Sequence, residues 1–427
     1  MTVVSVDAWE VLDSRGDPTV RVRVETGDAS GTFTVPAGAS TGAHEAVERR
    51  DGGERYGGRG VREACAAVRD DLAPVVEGRP VTDQVGIDTA MVDHDGTDDL
   101  SRLGANAVLG VSGAVARAAA DATARPLYEV LAPDSGPGAL PMPMINVLSG
   151  GLHAAAALPI QDLLVVPVAA ETYPEALEVA WAVRRAAGRR IGGGDPPPPV
   201  ADEGGFVPPV ADADAALDCL VGAIRDAGFA PGDEVGIAVD VAATHFHDAD
   251  RDRYALDGDD VDRETMIDRV VEWVEDYPVR SVEDPLAEDD WEGWARLADR
   301  VGDRVQLLGD DLLATNADRL ERAVDAGVAN AALIKPNQAG TITRTRRVLA
   351  AARDAGWAPV VSARSGETCD TTIADLAVGL DAGQIKIGSL ARSERLAKYN
   401  RLLGVDRTHD GGFAGGAALA PLDRRSG

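Results

Sequence analysis

The amino-acid sequence predicts an α/β fold in which a closed barrel of strands and helices follows a smaller N-terminal α+β domain. Three features predict this fold: strand-period alternation near the N-terminus, an alanine-rich helical stretch, and then short apolar runs separated by helical segments. A Pro- and Gly-rich linker at residues 131–138 precedes the apolar runs. We therefore expect an N-terminal α+β capping domain over residues 1–133 and a larger domain over residues 140–427.

The N-terminal domain is predicted to combine an antiparallel hairpin with buried helices. Residues 19–25 alternate between apolar and polar side chains, and residues 31–35 form a second strand after a turn at Gly27 and Asp28. The pattern becomes helical from about residue 61 to residue 130. Residues 108–117 are apolar on most sides, which is typical of a buried helix.

The larger domain contains continuous apolar runs of the kind that form parallel strands buried on both faces. These runs are residues 236–239, 279–282, 305–308, 331–334, 358–361 and 384–385. Helical stretches separate them. At least six such units in about 280 residues favour a closed barrel over an open doubly wound sheet.

Composition limits the classes of function. The 427 residues include 71 Asp and Glu against 42 Lys and Arg, a net charge of −29, which argues against binding to nucleic acids or anionic membranes. The three cysteines form no CxxC pair, so neither a disulfide framework nor a zinc site is indicated. No signal-like segment or long apolar run is visible. We expect a soluble, cytoplasmic protein.

Lysine is nearly absent. Only three of the 42 basic residues are lysine, namely Lys335, Lys386 and Lys398, and this acidic, Arg-rich composition fits a salt-adapted (halophilic) protein. Arginine stays protonated in proteins, whereas a buried lysine can lose its proton and act as a base. A lysine in this chain is therefore a candidate functional residue. Any one of the three taken alone could equally well be present by chance.

Ionisable residues follow the apolar runs of the larger domain. They are Asp240, Glu283, Asp310, Lys335 and Lys386, with Arg364 and Ser365 just after the run that ends at residue 361. The C-terminal strand ends of a parallel barrel meet at one mouth, so we expect these side chains to converge there. One acid after a strand is commonly a helix N-cap or a solvated loop charge, and the prediction rests on the whole set.

The chemistry of this set predicts a metal-assisted reaction on an anion. Three carboxylates without a soft or imidazole ligand are typical of Mg²⁺. The two lysines near such a cluster indicate an anionic substrate and a proton-transfer step.

Several blocks in the same order resemble the enolase family over nearly the whole chain. They are LDSRGDPTV at residues 12–20, PAGASTG at 36–42, GANA at 104–107, DEGGF at 202–206, SVEDP at 281–285, GDDL at 309–312, RSGET at 364–368 and QIK at 384–386. The resemblance implies a capping domain of a β-meander plus helices on a modified (β/α)8, TIM-type barrel. It also implies a homodimer or a larger homo-oligomer.

The resemblance further implies the reaction and its central residues. Asp240, Glu283 and Asp310 would bind Mg²⁺, one or two ions per active site. Lys335 would abstract the proton α to the substrate carboxylate, and metal charge would stabilise the enediolate. Glu203 would act as the general acid. The implied activity is the interconversion of 2-phospho-D-glycerate with phosphoenolpyruvate and water in glycolysis and gluconeogenesis.

The other matching residues would contact this small phosphorylated carboxylic acid. They are His153, Gln161, Asp162, Arg364, Ser365, Lys386 and Ser40. The resemblance implies that Lys386 holds the carboxylate, while Arg364 and Ser365 hold the phosphate. Ser40 would close over the site with its loop and contribute to a second magnesium ion.

The chain departs from the family pattern on the substrate side. Ala363 stands where the family has histidine, Asp162 where it has glutamate, and alanines at residues 154–157 where it usually has Gly and Asn. His245 and His247 have strand-period spacing that a metal pair could use, but they precede an acidic run and lie outside the family pattern.

Three functions remain open from the sequence. The first is enolase activity. The second is an enolase-family paralogue that uses the same proton abstraction on a related phosphonate or carboxyphosphonate acid. The third is a non-catalytic relative, against which the retention of Lys335, Lys386 and Glu203 argues.

Overall fold

A computed structural model describes residues 1–38, 42–154, 158–192, 198–210 and 212–419. In these ranges an N-terminal domain of antiparallel strands and helices precedes a closed barrel. The predicted fold class is therefore correct. The described helices include none that combines the length and the hydrophobicity needed to cross a bilayer.

The N-terminal domain is a β-meander covered by helices. Its strands are β1 (Ser5–Leu12), β2 (Pro18–Glu25) and β3 (Ser30–Thr34), and its helices are α1 (Arg62–Ala67), α2 (Ala73–Val76), α3 (Gln84–Asp95), α4 (Ala105–Thr123) and α5 (Leu127–Leu131). Both strand pairs are antiparallel. The hairpin of β2 and β3 confirms the alternation at residues 19–35, whereas β1 is an additional strand which that alternation does not predict.

Helix α4 lies directly on the meander because glycines remove side chains at the contact. An added Cβ at Gly31 of β3 would lie 2.2 Å from the carbonyl oxygen of Ala114, and one at Gly113 would lie 2.5 Å from the Phe33 ring. Most of α4 is consequently buried, as its apolar sequence predicts.

Eight strands of the described chain close the barrel. In chain order they are β4 (Met142–Ser149), β5 (Asp162–Val166), β6 (Gly236–Asp240), β10 (Val279–Glu283), β11 (Gln306–Gly309), β12 (Ala331–Ile334), β13 (Ala358–Ser362) and β14 (Gln384–Gly388). A separate small sheet of β7 (His247–Asp248), β8 (Arg253–Leu256) and β9 (Asp259–Val261) follows β6.

Helices surround the barrel. They are α6 (Tyr173–Gly192), α7 (Ala213–Asp226), α8 (Arg263–Asp276), α9 (Trp291–Val301), α10 (Ala317–Ala326), α11 (Pro336–Ala339), α12 (Ile342–Asp354), α13 (Thr372–Gly379) and α14 (Ser393–Asp406). Apolar side chains such as Met142, Leu164 and Leu333 fill the barrel interior.

Strand β5 runs antiparallel to both of its neighbours, which corrects the expectation of a uniformly parallel sheet. The apolar runs identified in the sequence do not include β4 or β5, and hydrophobic periodicity carries no information on strand direction. The reversal has a consequence for the site. The first residue of β5, Asp162, pairs with Ser149 at the end of β4 and with Asp240 at the end of β6, so it lies at the barrel mouth.

The N-terminal domain contacts the same mouth. Ala37 and Gly366 exchange two backbone hydrogen bonds of 2.8 and 2.9 Å, and the Ser14 backbone N–H donates to Glu367 at 2.8 Å. The Gln338 amide donates to Glu45 Oε1 at 3.3 Å. These contacts bring Gly38 and Glu45 of the N-terminal domain to the edge of the barrel opening.

Candidate active site

A solvent-open cavity lies at the C-terminal mouth of the barrel. Its wall includes nine of the predicted catalytic, substrate-binding and metal-binding residues: His153, Gln161, Glu203, Asp240, Asp310, Lys335, Arg364, Ser365 and Lys386. Lys386 lies within β14, and the others end or follow a strand or lie in a loop between barrel strands. Parallel strand ends converge at this mouth, which explains how residues far apart in the chain meet.

Lys386 joins two of the predicted metal ligands. Its Nζ donates to Asp240 Oδ2 at 2.7 Å and to Glu283 Oε2 at 2.6 Å. The strand register places Glu283 directly beside Asp240. Burial disfavours the charged form of Lys386, but these two carboxylates outweigh burial and raise its pKa. Lys386 is therefore a fixed positive charge at the base of the cavity.

Lys335 contacts the third predicted ligand. Its Nζ donates to Asp310 Oδ2, and the amide of Gln338 donates to Asp310 Oδ1 at 3.0 Å. Burial disfavours the ammonium form, yet the Asp310 carboxylate outweighs burial and raises the pKa of Lys335. Lys335 can serve as a base only when another cation takes over the charge of Asp310.

The buried acids have the electrostatics of a cation site. Burial, followed by the neighbouring Asp240 carboxylate, raises the pKa of Glu283 to about 8. The pKa of Asp311 is raised to about 7 by burial and by Asp310. Carboxylates that repel one another in this way are stabilised by a hard divalent ion, so the residues present fit Mg²⁺.

The arrangement of the acids differs in detail from the predicted trio. Within the described ranges, ligand atoms lie within 4.8 Å of one another in two sets: His153, Asp162 and Glu203, and Asp284, Asp310 and Asp311. The trio of Asp240, Glu283 and Asp310 is not one of these sets. The lysines account for this, because Lys386 Nζ lies between Asp240 and Glu283 while Lys335 Nζ contacts Asp310.

Asp284, the acid directly after Glu283, connects two neighbouring strand ends. Asp284 follows Glu283 and accepts the backbone N–H groups of Asp310, at 3.0 Å, and Asp311, at 2.7 Å. It thereby holds the end of β11 against the end of β10. Asp284 has a φ of 41°, in the left-handed region that non-glycine residues rarely adopt. This strained turn redirects the chain immediately after Glu283.

Asp162 lies behind the cavity wall and orients His153. Its Oδ1 accepts the Ser149 hydroxyl at 2.7 Å and an Asn146 amide N–H, and its Oδ2 lies 3.1 Å from His153 Nδ1. Burial disfavours a charged His153, but the Asp162 carboxylate outweighs it and raises the pKa of His153 to about 9. His153 is therefore positively charged at neutral pH and can attract an anion.

Gln161, the residue before β5, connects this side of the mouth to the metal-ligand candidates. Its side-chain amide donates to Asp240 Oδ2 at 3.2 Å. Asp240 thus receives hydrogen bonds from both Gln161 and Lys386, which fixes its orientation.

Glu203 is a buried carboxyl group beside a buried arginine. Arg395 Nη1 lies 3.7 Å from Glu203 Oε1. Burial raises the pKa of Glu203, and the charges of Arg395 and His153 oppose this only in part. A raised pKa favours the protonated form, which is the form that a general acid needs.

Arg364 and Ser365 are already engaged by the N-terminal domain. Arg364 Nη1 donates to Glu45 Oε2 at 2.8 Å and to Asn337 Oδ1 at 3.2 Å. Arg15 Nη1 donates to Ser365 Oγ at 3.4 Å. The guanidinium expected to hold a phosphate is thus paired with a carboxylate in this arrangement, and a bound phosphate would have to compete with Glu45 or share the guanidinium with it.

The third lysine supports the loop that carries Arg364. Lys398 is buried, pairs with Glu367 at 2.8 Å and donates to the backbone carbonyl oxygen of Thr368. Glu367 in turn accepts the Arg364 backbone N–H at 3.1 Å. Lys398 therefore lies outside the cavity wall and contributes to the placement of the Arg364 loop.

Sequence reasoning missed several residues of the site. Glu45, Asn337, Gln338 and Arg395 all contact predicted site residues, and Arg15 contacts Ser365. Glu45 is a single acid in another domain, so no local pattern marks it. Asp284 and Asp311 carried a signal, because each directly follows a predicted metal ligand. Ser40 and residues 155–157 lie outside the described residues.

The two histidines after β6 do not form a metal pair. His247 Nε2 lies 3.2 Å from Asp252 Oδ1, and its ring packs at 4.5 Å on Tyr254. His245 lines the cavity together with Ala363, the residue at which the chain departs from the family histidine. Burial lowers the pKa of His245, with Asp240 and Asp310 acting in the opposite direction.

Comparison with known protein families agrees with this architecture. Residues 3–131 match the N-terminal domain of enolase, and residues 137–418 match the enolase C-terminal TIM barrel domain. The two matches cover both parts of the fold, including every strand of the barrel. Both enolase domains, with acids and lysines around the barrel mouth, indicate a lyase of the enolase superfamily. The chain belongs to the enolase family.

Proposed function

We propose that the protein is a magnesium-dependent hydro-lyase that interconverts 2-phospho-D-glycerate with phosphoenolpyruvate and water. One observation carries the proposal: the buried Lys386 and the half-buried Lys335 line one cavity with Asp240 and Asp310, and Lys386 also pairs with the buried Glu283. This combination suits a reaction that removes a proton from the carbon next to a carboxylate.

Asp240, Glu283 and Asp310 are the residues that would hold Mg²⁺. The ion, when bound, supplies positive charge for the developing enediolate. Lys335 would remove the α-proton, since its ammonium pairing with Asp310 is weakened once the carboxylate charge is shared with a metal. Lys386 is the poorer candidate for the base, because it contacts two carboxylates, Asp240 and Glu283, whereas Lys335 contacts only Asp310.

Glu203 would protonate the departing β-hydroxyl group. Its burial keeps the carboxyl protonated to a higher pH than usual, while Arg395 fixes its position from the side. His153, charged through its contact with Asp162, and Arg364 supply cationic contacts for a carboxylate and a phosphate. Ser40 is proposed to act from the loop of the N-terminal domain.

The activity is testable by ultraviolet absorbance of phosphoenolpyruvate formed from 2-phospho-D-glycerate. We expect absorbance to rise in buffer with Mg²⁺ and high salt, and to stop when the metal is removed with a chelator and resume when Mg²⁺ is restored. A parallel thermal unfolding scan controls for loss of fold. A folded protein with no magnesium-dependent signal would exclude this activity as the main one.

Ala363 favours a second candidate function. A buried methyl group lines the cavity where the family has histidine, so one polar contact to substrate is missing and the space beside it is available to another group. A paralogue that abstracts a proton from a phosphonate or carboxyphosphonate acid would retain Lys335 and the acids while changing this wall.

Replacing Ala363 by histidine separates these two candidates. If the substrate is 2-phospho-D-glycerate, A363H is expected to raise kcat/KM for it about 10- to 100-fold, because a hydrogen bond to a charged group contributes about 1.5–3 kcal/mol. Steady-state kinetics on the parent and on A363H measures the change in kcat/KM. An unchanged or lower value would support a substrate whose own group occupies the space.

The remaining properties are proposals from composition and family. The acidic, Arg-rich surface favours function in a salty cytoplasm and disfavours nucleic acids and membranes as partners. Homodimers or larger homo-oligomers are proposed from the family resemblance, for which size-exclusion chromatography with light scattering is the direct measurement.

A further inference from the structure

His245 is a cavity-lining residue to which neither the family resemblance nor the proposed mechanism assigns a role. It lies on the short helical turn Ala243–Phe246, which follows β6 and its terminal Asp240. Within the described ranges its imidazole makes no hydrogen bond or ion pair, and its backbone N–H donates to the Ala242 carbonyl oxygen at 3.1 Å. A polar ring facing a polar cavity is therefore available to a ligand.

The turn holds His245 in place through its neighbours. The Thr244 hydroxyl oxygen accepts the Glu288 backbone N–H at 3.0 Å, and the Ala243 N–H donates to the Asp284 carbonyl oxygen at 3.1 Å. The Phe246 ring packs edge-on against Tyr254 at 6.2 Å. The residues on both sides of His245 are thus anchored to other elements.

His247 provides a comparison within the same segment. Its ring packs at a tilt against Tyr254 and is paired with Asp252, both outside the cavity wall. The two histidines therefore have different surroundings. His247 has a hydrogen-bonding partner outside the cavity wall, whereas His245 lines the cavity and its ring has no partner among the described residues.

The His245 ring can donate a hydrogen bond to a phosphorylated acid. Asp240 and Asp310 attract a proton to the ring, whereas His153 and Lys335 repel it, and burial favours the neutral ring. A neutral imidazole has one N–H donor. Phosphate and carboxylate oxygens are acceptors, and Ala363 on the same cavity wall offers them no donor from its side chain.

We propose that His245 is a substrate-contacting residue that donates an imidazole N–H to an oxygen of the phosphorylated acid and thereby contributes to the substrate preference of this chain. The proposal rests on the proposed function for the class of ligand. It adds a contact outside the residues that carry the family resemblance.

The test compares H245A with H247A as the matched control. Loss of a hydrogen bond to a charged oxygen is expected to raise KM for 2-phospho-D-glycerate about 10- to 100-fold in H245A, with a smaller change in kcat. H245N, which keeps a donor on a shorter side chain, is expected to recover part of the loss. H247A is expected to keep KM within about twofold of the parent value, since His247 does not line the cavity and pairs with Asp252.

A second measurement separates this proposal from the proposed function. The parent, H245A and H247A are titrated by calorimetry with 2-phospho-D-glycerate and with phosphonoacetate in Mg²⁺ buffer. Weaker binding of either acid by H245A alone supports the contact, even if the parent turns neither acid over and the proposed function fails. Equal KM and equal Kd for the parent and H245A would overturn the His245 proposal while leaving the hydratase activity standing. A parent that binds neither acid would overturn both.

Discussion

Replacing Lys335 by alanine is expected to lower kcat with 2-phospho-D-glycerate by about 10⁴-fold, at the upper end of what a general base contributes. The reason is the weakness of the carbon acid, which water cannot deprotonate at a useful rate even beside a metal. The Gln338 amide still donates to Asp310 in this variant, so part of the local hydrogen bonding remains. Stopped-time assays at high enzyme concentration measure the residual kcat, and a thermal unfolding scan checks that K335A is folded.

K335R makes the Lys335 test sharper. The guanidinium retains a positive charge near Asp310 but cannot give up its proton, so K335R should be as inactive as K335A if Lys335 is the base. The exposed Arg300, which pairs with Asp268, provides R300A as a control with parental activity. Substantial turnover by K335R would contradict the assignment and point to a purely electrostatic role.

Replacing Glu203 by glutamine is the second large expected effect. The change preserves the size of the side chain but replaces the acidic O–H by an amide NH2, and kcat for dehydration is expected to fall about 10²- to 10³-fold. KM should change much less, because the proton is needed only when the hydroxyl group leaves. Steady-state kinetics in the dehydration direction measures the changes in kcat and KM separately.

The pH dependence gives an independent check on Glu203. Burial raises its pKa, so the protonated, active form persists to higher pH than for an ordinary carboxyl group. Dehydration by the parent should decline as pH rises through that pKa, and E203Q should lack this decline. E394Q alters a carboxylate on the other side of Arg395, 3.8 Å from its Nε, and serves as the control with a parental pH profile. The same alkaline decline in E203Q would show that another group titrates.

The barrel strands could be predicted because their signal is local. Each run such as 236–239 or 331–334 is continuous, apolar and bounded by helical sequence, and it lies within or at the edge of a strand of the structure. The ionisable residues after most runs were predictable for the same reason, since position in the chain places them at a strand end, whereas Lys386 lies inside β14.

The antiparallel strand β5 illustrates the limit of local pattern. Nothing in residues 162–166 states the direction in which the strand runs, and only its pairing with β4 and β6 reveals it. The reversal matters because it brings the start of β5, rather than its end, to the mouth. Asp162 consequently lies beside His153 instead of at the opposite end of the barrel.

The fold class, the acids and lysines near the strand ends, and the departure at Ala363 can all be predicted from short stretches of consecutive residues. The contacts of Lys386 with two acids, the pairing of Glu45 with Arg364 across the domain boundary, and the position of His245 rather than His247 on the cavity wall become visible only in the folded chain. These contacts join residues as many as 319 positions apart or depend on the direction of one side chain. Such relations arise from strand register and domain docking, which no local periodicity records.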